Sequence, residues 1–180
     1  MPGILAALGG YYRAITTVNR LLAYVAAAAM LVVVPVILTE VVSRYFFDAP
    51  TAWAMESATL LFGPYFLLAG PWLLHTGGHV NVDIVHAAVG DRTRWLLDCI
   101  GYVVVLAFCW VLTDLAWPLA VNSWQLGETS FSAWNPPIWW TKFFLPAALA
   151  LLAAQAVAEL LRQGIRLGGG PDLQPAGDPS

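Results

Sequence analysis

Histidine is the residue type in this chain best suited to chemistry, because an imidazole can transfer protons or bind metal near neutral pH. The three histidines are His75, His79 and His86, and Asp83 follows His79 by four positions. On a helix His79 and Asp83 would form an i,i+4 pair worth about 0.2–0.5 kcal/mol if exposed. His75 and His79 would lie at the same end of one helix, which is unlike the facing pair that ligates a haem. We therefore predict interfacial histidines and no bound cofactor or metal.

The remaining residues give little support to catalysis. Cys99 and Cys109 lie in a single apolar stretch, where a helix would keep them too far apart for a disulfide. They form no metal-ligand spacing and are predicted to be small packing or lipid-facing residues. The sequence contains no Ser-His-Asp arrangement, phosphate-binding loop or Cys/His metal pattern. These observations predict a protein that is not an enzyme.

The composition is that of an integral membrane protein. Apolar residues make up 59% of the 180 residues and charged residues 11%, against about 45–50% and 25% in soluble domains. The mean hydropathy is +0.71. The net charge is −3 and the basic residues are scattered, which argues against nucleic-acid binding. Membrane lipids are the expected surroundings.

Four apolar stretches approach the ~20 residues that cross a ~30 Å hydrocarbon core. We predict spans at about 20–43, 56–75, 95–117 and 138–161, within a membrane domain of residues 18–163. They should be helices, because an open sheet edge would leave backbone groups unpaired in lipid. Residues 1–17 form a predicted N-terminal segment, and the Gly- and Pro-rich residues 164–180 a disordered tail.

A short amphipathic helix is predicted between the second and third spans, at about residues 79–90. At helical spacing His79, Asp83 and His86 share one face, and valines occupy the other. Such a helix would lie in the membrane interface. The predicted fold class is thus all-α, with four transmembrane helices and this interfacial helix.

The basic residues predict the orientation of the chain. If the N-terminus is cytoplasmic, the inner segments carry six basic residues and the outer segments only two, Arg44 and Lys142. This distribution favours cytoplasmic N- and C-termini. Most interfacial tryptophans then fall on the outer side, where they could anchor the chain in the membrane or form a docking surface.

The ionisable residues lie outside the centres of the predicted spans. Asp98 and Asp114, for example, stand near the two ends of the third span, where an acid can reach water. A transporter that carried its own substrate should place ionisable or broken-helix groups near the midplane. The second span does contain Gly63-Pro64 and Gly70-Pro71, which should kink it. The charge distribution favours a scaffold or accessory role over an autonomous transport pathway.

The loop between the first two spans is rich in charge. Glu40 precedes Arg44 by four positions, the favourable order for a helical ion pair, and Glu56 follows the loop. Two interpretations stay open. The loop could be a solvated turn whose ion pairs contribute about 0–1 kcal/mol, or Arg44 and Glu56 could join helix ends or meet a partner subunit.

Several short elements, in this order, resemble a known family. They are SRYFFDAPTAWAME (residues 43–56), GHVNVD (78–83), LGETS (126–130), PPIWW (136–140) and Pro146. The chain resembles, over roughly residues 18–162, the small transmembrane subunit (DctQ type) of tripartite ATP-independent periplasmic (TRAP) transporters. The residues expected to serve structure or subunit contact are Arg44, Trp53, Glu56, His79, Asp83 and Glu128.

The resemblance implies an accessory role in the bacterial inner membrane. Such subunits pair with a large transmembrane subunit that carries substrate and sodium, while a periplasmic substrate-binding protein delivers organic acids. Sodium coupling is therefore expected in the large subunit and not in this chain. The outer loop, residues 119–140, could help to dock the binding protein through Trp124, Trp134 and Trp139. Two alternatives remain, a haem or quinone anchor of a respiratory complex and a small autonomous transporter.

Overall fold

Helices make up most of the structure, a computed structural model that describes residues 2–76 and 90–167. They are α1 (Pro2–Phe46), α2 (Ala54–His75), α3 (Asp91–Gln125), α4 (Trp139–Lys142) and α5 (Phe144–Leu167). No strand occurs in these ranges. Four helical stretches are long and apolar enough to cross a membrane, with α4 and α5 together forming the fourth. The predicted all-α membrane fold with four spans is confirmed.

The helices extend further along the chain than the predicted spans. α1 begins at Pro2 and thus includes the predicted N-terminal segment, and α3 continues through Pro118 to Gln125. The fourth span divides at Phe143 into α4 and α5, and α5 runs to Leu167. Except for Gly90, the predicted interfacial helix at 79–90 lies outside the described residues, as does the chain beyond residue 167.

Helix α5 is the centre of the packing. It contacts α1, α2 and α3, and α1 also packs along α2. The buried apolar residues are mostly small, which allows close backbone approach in membrane bundles; they include Ala26, Ala54, Ala58, Ala116, Ala120, Ala148, Ala156 and Ala158. Large apolar side chains instead face outward on α1 and α3, as expected where lipid is the solvent.

Two ordered loops lie at the end of the bundle where α2 begins, which we call the loop end. Between α1 and α2, Asp48 adopts a positive φ of 50° and the Ala49 N–H donates to the Ser43 carbonyl at 3.1 Å. Between α3 and α4, Thr129 and Pro137 form an isolated antiparallel bridge. This second loop is shorter than the predicted 119–140, because residues up to Gln125 are helical.

Candidate functional site

A buried group of polar residues joins α1, α2 and α5 at the opposite end of the bundle, where α2 ends. This polar cluster consists of Tyr12, Asn19, His75, Gln155, Glu159 and Arg162. All except Arg162 are at most 6% exposed, and the Arg162 side chain is 15% exposed. Helical spacing places Gln155, Glu159 and Arg162 on one face of α5, towards α1 and α2. The cluster therefore connects three helices that are distant in sequence.

The carboxylate of Glu159 is the common acceptor of the polar cluster. Its Oε1 accepts hydrogen bonds from His75 Nδ1 at 2.8 Å, Gln155 Nε2 at 3.0 Å and Tyr12 Oη at 3.3 Å. Its Oε2 accepts from the Arg162 guanidinium at 3.3 Å. Because the His75 partner is an acceptor, this geometry places a proton on Nδ1 of the imidazole. One buried acid thus holds groups from α1 and α2 against α5.

Asn19 and two arginines extend this network. Asn19 Nδ2 donates to Gln155 Oε1 at 2.9 Å, which gives α1 a second link to α5. Arg162 lies 6.0 Å from the centroid of the Tyr12 ring, and Arg20 lies 5.8 Å from that of Trp72. Both distances are within the range of cation–π attraction. The contacts favour a fixed arrangement of the three helices.

At the loop end, Glu40 holds the α1–α2 loop. Glu40 is 2% exposed and its Oε1 accepts from Arg44 Nε at 3.0 Å. Its Oε2 accepts from the Thr51 N–H at 2.9 Å and also from the Thr51 hydroxyl. Arg44 therefore acts within its own helix, through Glu40, on the loop that leads into α2.

The α3–α4 loop is held by two further acids. Ser132 donates to the Glu56 carboxylate, which joins this loop to the beginning of α2. Glu128 accepts from Ser123 at 2.6 Å and pairs with Lys142. The Lys142 ammonium, followed by the Ser123 hydroxyl, holds the pKa of Glu128 below its usual value. Glu128 thus connects α3, the loop and α4.

The aromatic residues of the loop end differ in exposure. Trp124 is 58% exposed and Trp134 45%, whereas Trp139 is half-buried at the start of α4. Phe131 is the most exposed, at 86%, and has a positive φ of 54°. Its N–H donates to Asn135 Oδ1 at 3.0 Å. The loop therefore presents aromatic side chains on a hydrogen-bonded backbone.

The residues predicted from sequence are distributed over both ends. Arg44 bonds to Glu40, and Glu56 bonds to Ser132. Trp53 directly precedes α2, and its carbonyl accepts a 2.8 Å hydrogen bond from the Ser57 N–H. His79 and Asp83 lie outside the described residues. His75, predicted to be interfacial, lies at the end of α2 and is buried among α1, α2 and α5, where Glu159 and Gln155 supply polar partners.

Most residues of the polar cluster were not predicted from the sequence. Asn19 and Gln155 are amides next to or within apolar stretches, and Gln155 precedes Glu159 by one helical turn. These signals were visible, but they do not reveal which helices are neighbours. In the described ranges, no three His, Cys, Asp or Glu side chains are grouped as metal ligands. Cys109 is buried and Cys99 half-buried, both as free thiols.

Comparison with protein families agrees with this architecture. Residues 33–165 match the family described as "Tripartite ATP-independent periplasmic transporters, DctQ component". The chain belongs to the DctQ family. No curated protein matches the chain. The DctQ match contains both ordered loops and the α2 and α5 residues of the polar cluster, whereas Tyr12 and Asn19 precede it.

Membership in the DctQ family defines the class of protein. The family is a component of a transporter and is not an enzyme family. Together with four helices capable of spanning a membrane, it indicates a multi-pass membrane subunit. The prediction of a small TRAP transporter subunit is confirmed.

Proposed function

We propose that this DctQ-family chain is a fixed scaffold for the large sodium-coupled subunit of a TRAP transporter. In this role it also helps to dock the periplasmic substrate-binding protein during organic acid uptake. It would lie in the bacterial inner membrane with both termini in the cytoplasm. The proposal assigns sodium and substrate to the large subunit, so this chain needs no cofactor.

The observation that carries the scaffold proposal is the placement of the polar contacts. The polar cluster fastens α1, α2 and α5 together at one end, and Glu40, Glu56 and Glu128 fasten the loops at the other. Between the ends, residues 21–39, 57–74, 99–113 and 143–158 carry no charged side chain. A bundle fastened at both ends and apolar between them suits a static support beside a moving transport domain.

The docking proposal rests on the aromatic surface of the loop end. Phe131 and Trp134 project from a loop whose backbone is hydrogen-bonded internally and whose Ser132 hydroxyl donates to Glu56 of α2. Aromatic residues are enriched in protein interfaces, and a preformed loop loses little conformational freedom when it binds. Trp124, in the last turn of α3, could instead serve as a membrane anchor.

Reconstitution in liposomes tests this function. We expect sodium-driven uptake of the cognate organic acid only when the large subunit, the binding protein and this chain are all present. Trp134→Ala and Phe131→Ala should raise the binding-protein concentration required for half-maximal uptake several-fold. Phe66→Ala is the matched control, since Phe66 is 68% exposed within α2 and should have little effect. Full uptake without this chain would contradict the proposal.

A further inference from the structure

Asp114 is an acidic residue on the outward face of α3. It is exposed and forms no hydrogen bond or ion pair with any residue in the ranges 2–76 and 90–167. The buried face of α3 includes Cys109, Ala116 and Ala120. At about 100° per residue, Asp114 lies roughly 140° around the helix from Cys109. Its carboxylate therefore points away from the rest of the bundle.

Asp114 also lies below the level of the loop end. The centroids of the Trp117 and Phe143 rings lie 6.1 Å apart. Phe143 directly follows Lys142, which pairs with Glu128. Trp117 therefore lies next to the loop end. Asp114 lies about 4.5 Å deeper along α3 than Trp117. The prediction placed Asp114 near a helix end, where it would reach water, but α3 continues to Gln125. A carboxylate at this depth is costly in lipid unless a cation approaches it.

The surroundings of Asp114 suit a guanidinium. Trp110, Trp117, Thr113 and Pro118 line a recess around the carboxylate, and Trp110 is 78% exposed. Arginine binds a carboxylate through two N–H groups and stacks on indole rings. Proline has no N–H, so Pro118 cannot supply the helical hydrogen bond to the Asp114 carbonyl. A second acceptor is thereby available beside the carboxylate.

The exposed residues around Asp114 form a continuous stripe that suits a helix. Ile100, Val103, Ala107, Trp110, Asp114 and Trp117 are all exposed and follow one another at alternating intervals of three and four residues. This spacing keeps the residues on one side of α3, along which a second helix can pack. We call the stripe the Asp114 face.

We propose that the Asp114 face packs against a membrane-spanning helix of the large transport subunit that carries an arginine opposite Asp114. The inference rests on the proposed function, which supplies the partner subunit. The charge of Asp114 and the two flanking indoles favour an arginine, and the length of the exposed stripe, from Ile100 to Trp117, suits a helix. Lipid tails would cover the apolar part of the stripe but could not neutralise the carboxylate.

Site-specific photo-crosslinking in the co-expressed complex tests the proposal. A benzoylphenylalanine in place of Trp110 should crosslink to one helix of the large subunit, and the crosslinked peptide should contain or adjoin an arginine. The same group in place of Phe108, 58% exposed on a different side of α3, should not reach that helix. Asp114→Asn should reduce the large subunit recovered in dodecyl maltoside by about tenfold. Asp48→Asn, which removes an exposed loop carboxylate, should leave recovery unchanged.

Charge reversal provides the second test. Asp114→Arg should abolish recovery of the large subunit, and exchanging the opposing arginine for aspartate should restore it. The thermal stability of the isolated variants in detergent separates a lost contact from misfolding. If position 110 crosslinks only to lipid or to a second copy of this chain while the large subunit still co-purifies, the Asp114 proposal is overturned and the proposed function stands. If the unaltered chain recovers no large subunit, both fail.

Discussion

Replacing Glu159 by leucine removes the acceptor that α1, α2 and α5 share. The variant loses the hydrogen bonds from Tyr12 Oη, His75 Nδ1 and Gln155 Nε2 to Oε1. Hydrogen bonds between membrane helices contribute about 0.6 kcal/mol on average and up to ~1.7. Two of these bonds, from Tyr12 and His75, join different helices and together give an expected loss of about 1–3 kcal/mol in the free energy of unfolding.

Reversible unfolding in mixed micelles can measure this loss. Sodium dodecyl sulfate is added to protein in dodecyl maltoside, and helix content is followed by circular dichroism. Tryptophan fluorescence gives a second signal, because the Trp72 ring lies 5.2 Å from the His75 ring. Equal midpoints by the two probes would support a two-state transition.

Two control variants separate the acceptor from the side-chain volume. Glu159→Gln keeps the length and one acceptor oxygen, so we expect a loss of about 1 kcal/mol. Val157→Ala changes a partly exposed neighbour and should cost ~0.5 kcal/mol or less. If Glu159→Leu proves as stable as Val157→Ala, the polar cluster does not fasten the helices and the reasoning is refuted.

Three further predictions concern other polar groups. Glu40→Leu should cost about 1–3 kcal/mol, because it leaves the part-buried Thr51 N–H and hydroxyl without their acceptor. Arg44→Ala should cost less than about 1 kcal/mol, since that side chain is 51% exposed. The lowered pKa of Glu128 should stabilise the fold above the ordinary carboxyl pKa, and this contribution should disappear as the pH falls through the lower folded value. Thr16→Val should be neutral or stabilising, because the buried Thr16 Oγ1 has no hydrogen-bond partner within the described ranges.

The same unfolding measurement checks these three predictions. Equal losses for Glu40→Leu and Arg44→Ala would contradict the central place of Glu40 in the α1–α2 loop. Lys142→Met should flatten the acid dependence of stability below the ordinary carboxyl pKa of about 4.3. An unchanged profile would exclude the Glu128 pair as its source. A marked loss of stability in Thr16→Val would indicate a contact of the hydroxyl.

The four spans were predictable because span length and hydropathy are local properties of the sequence. The ends of the helices were less predictable. α1 extends before the predicted first span, where Tyr12 and Asn19 pack on α5 through contacts between residues 136 or more positions apart. α3 continues beyond Pro118 and beyond the predicted end of the third span at residue 117. Its last turns contact the ordered α3–α4 loop through Ser123.

The candidate site was predicted only in part. Arg44, Glu56 and Glu128 could be selected because they lie in short recognisable elements. Thr51 and Ser132, which bond to Glu40 and Glu56, could not be selected. Hydroxyl residues are common in loops, and which of them bonds to an acid depends on the folded backbone. Predicting the polar cluster required the knowledge that α5 packs against both α1 and α2. Sequence spacing within one helix does not contain that information.

Mass spectrometry of the proteins that co-purify with the tagged chain from its native membranes tests the central claim most directly. In mild detergent, we predict a stoichiometric and much larger multi-spanning subunit, with or without a periplasmic substrate-binding protein. Recovery of the chain alone, or with soluble redox subunits and a b-type haem spectrum, would contradict the scaffold function.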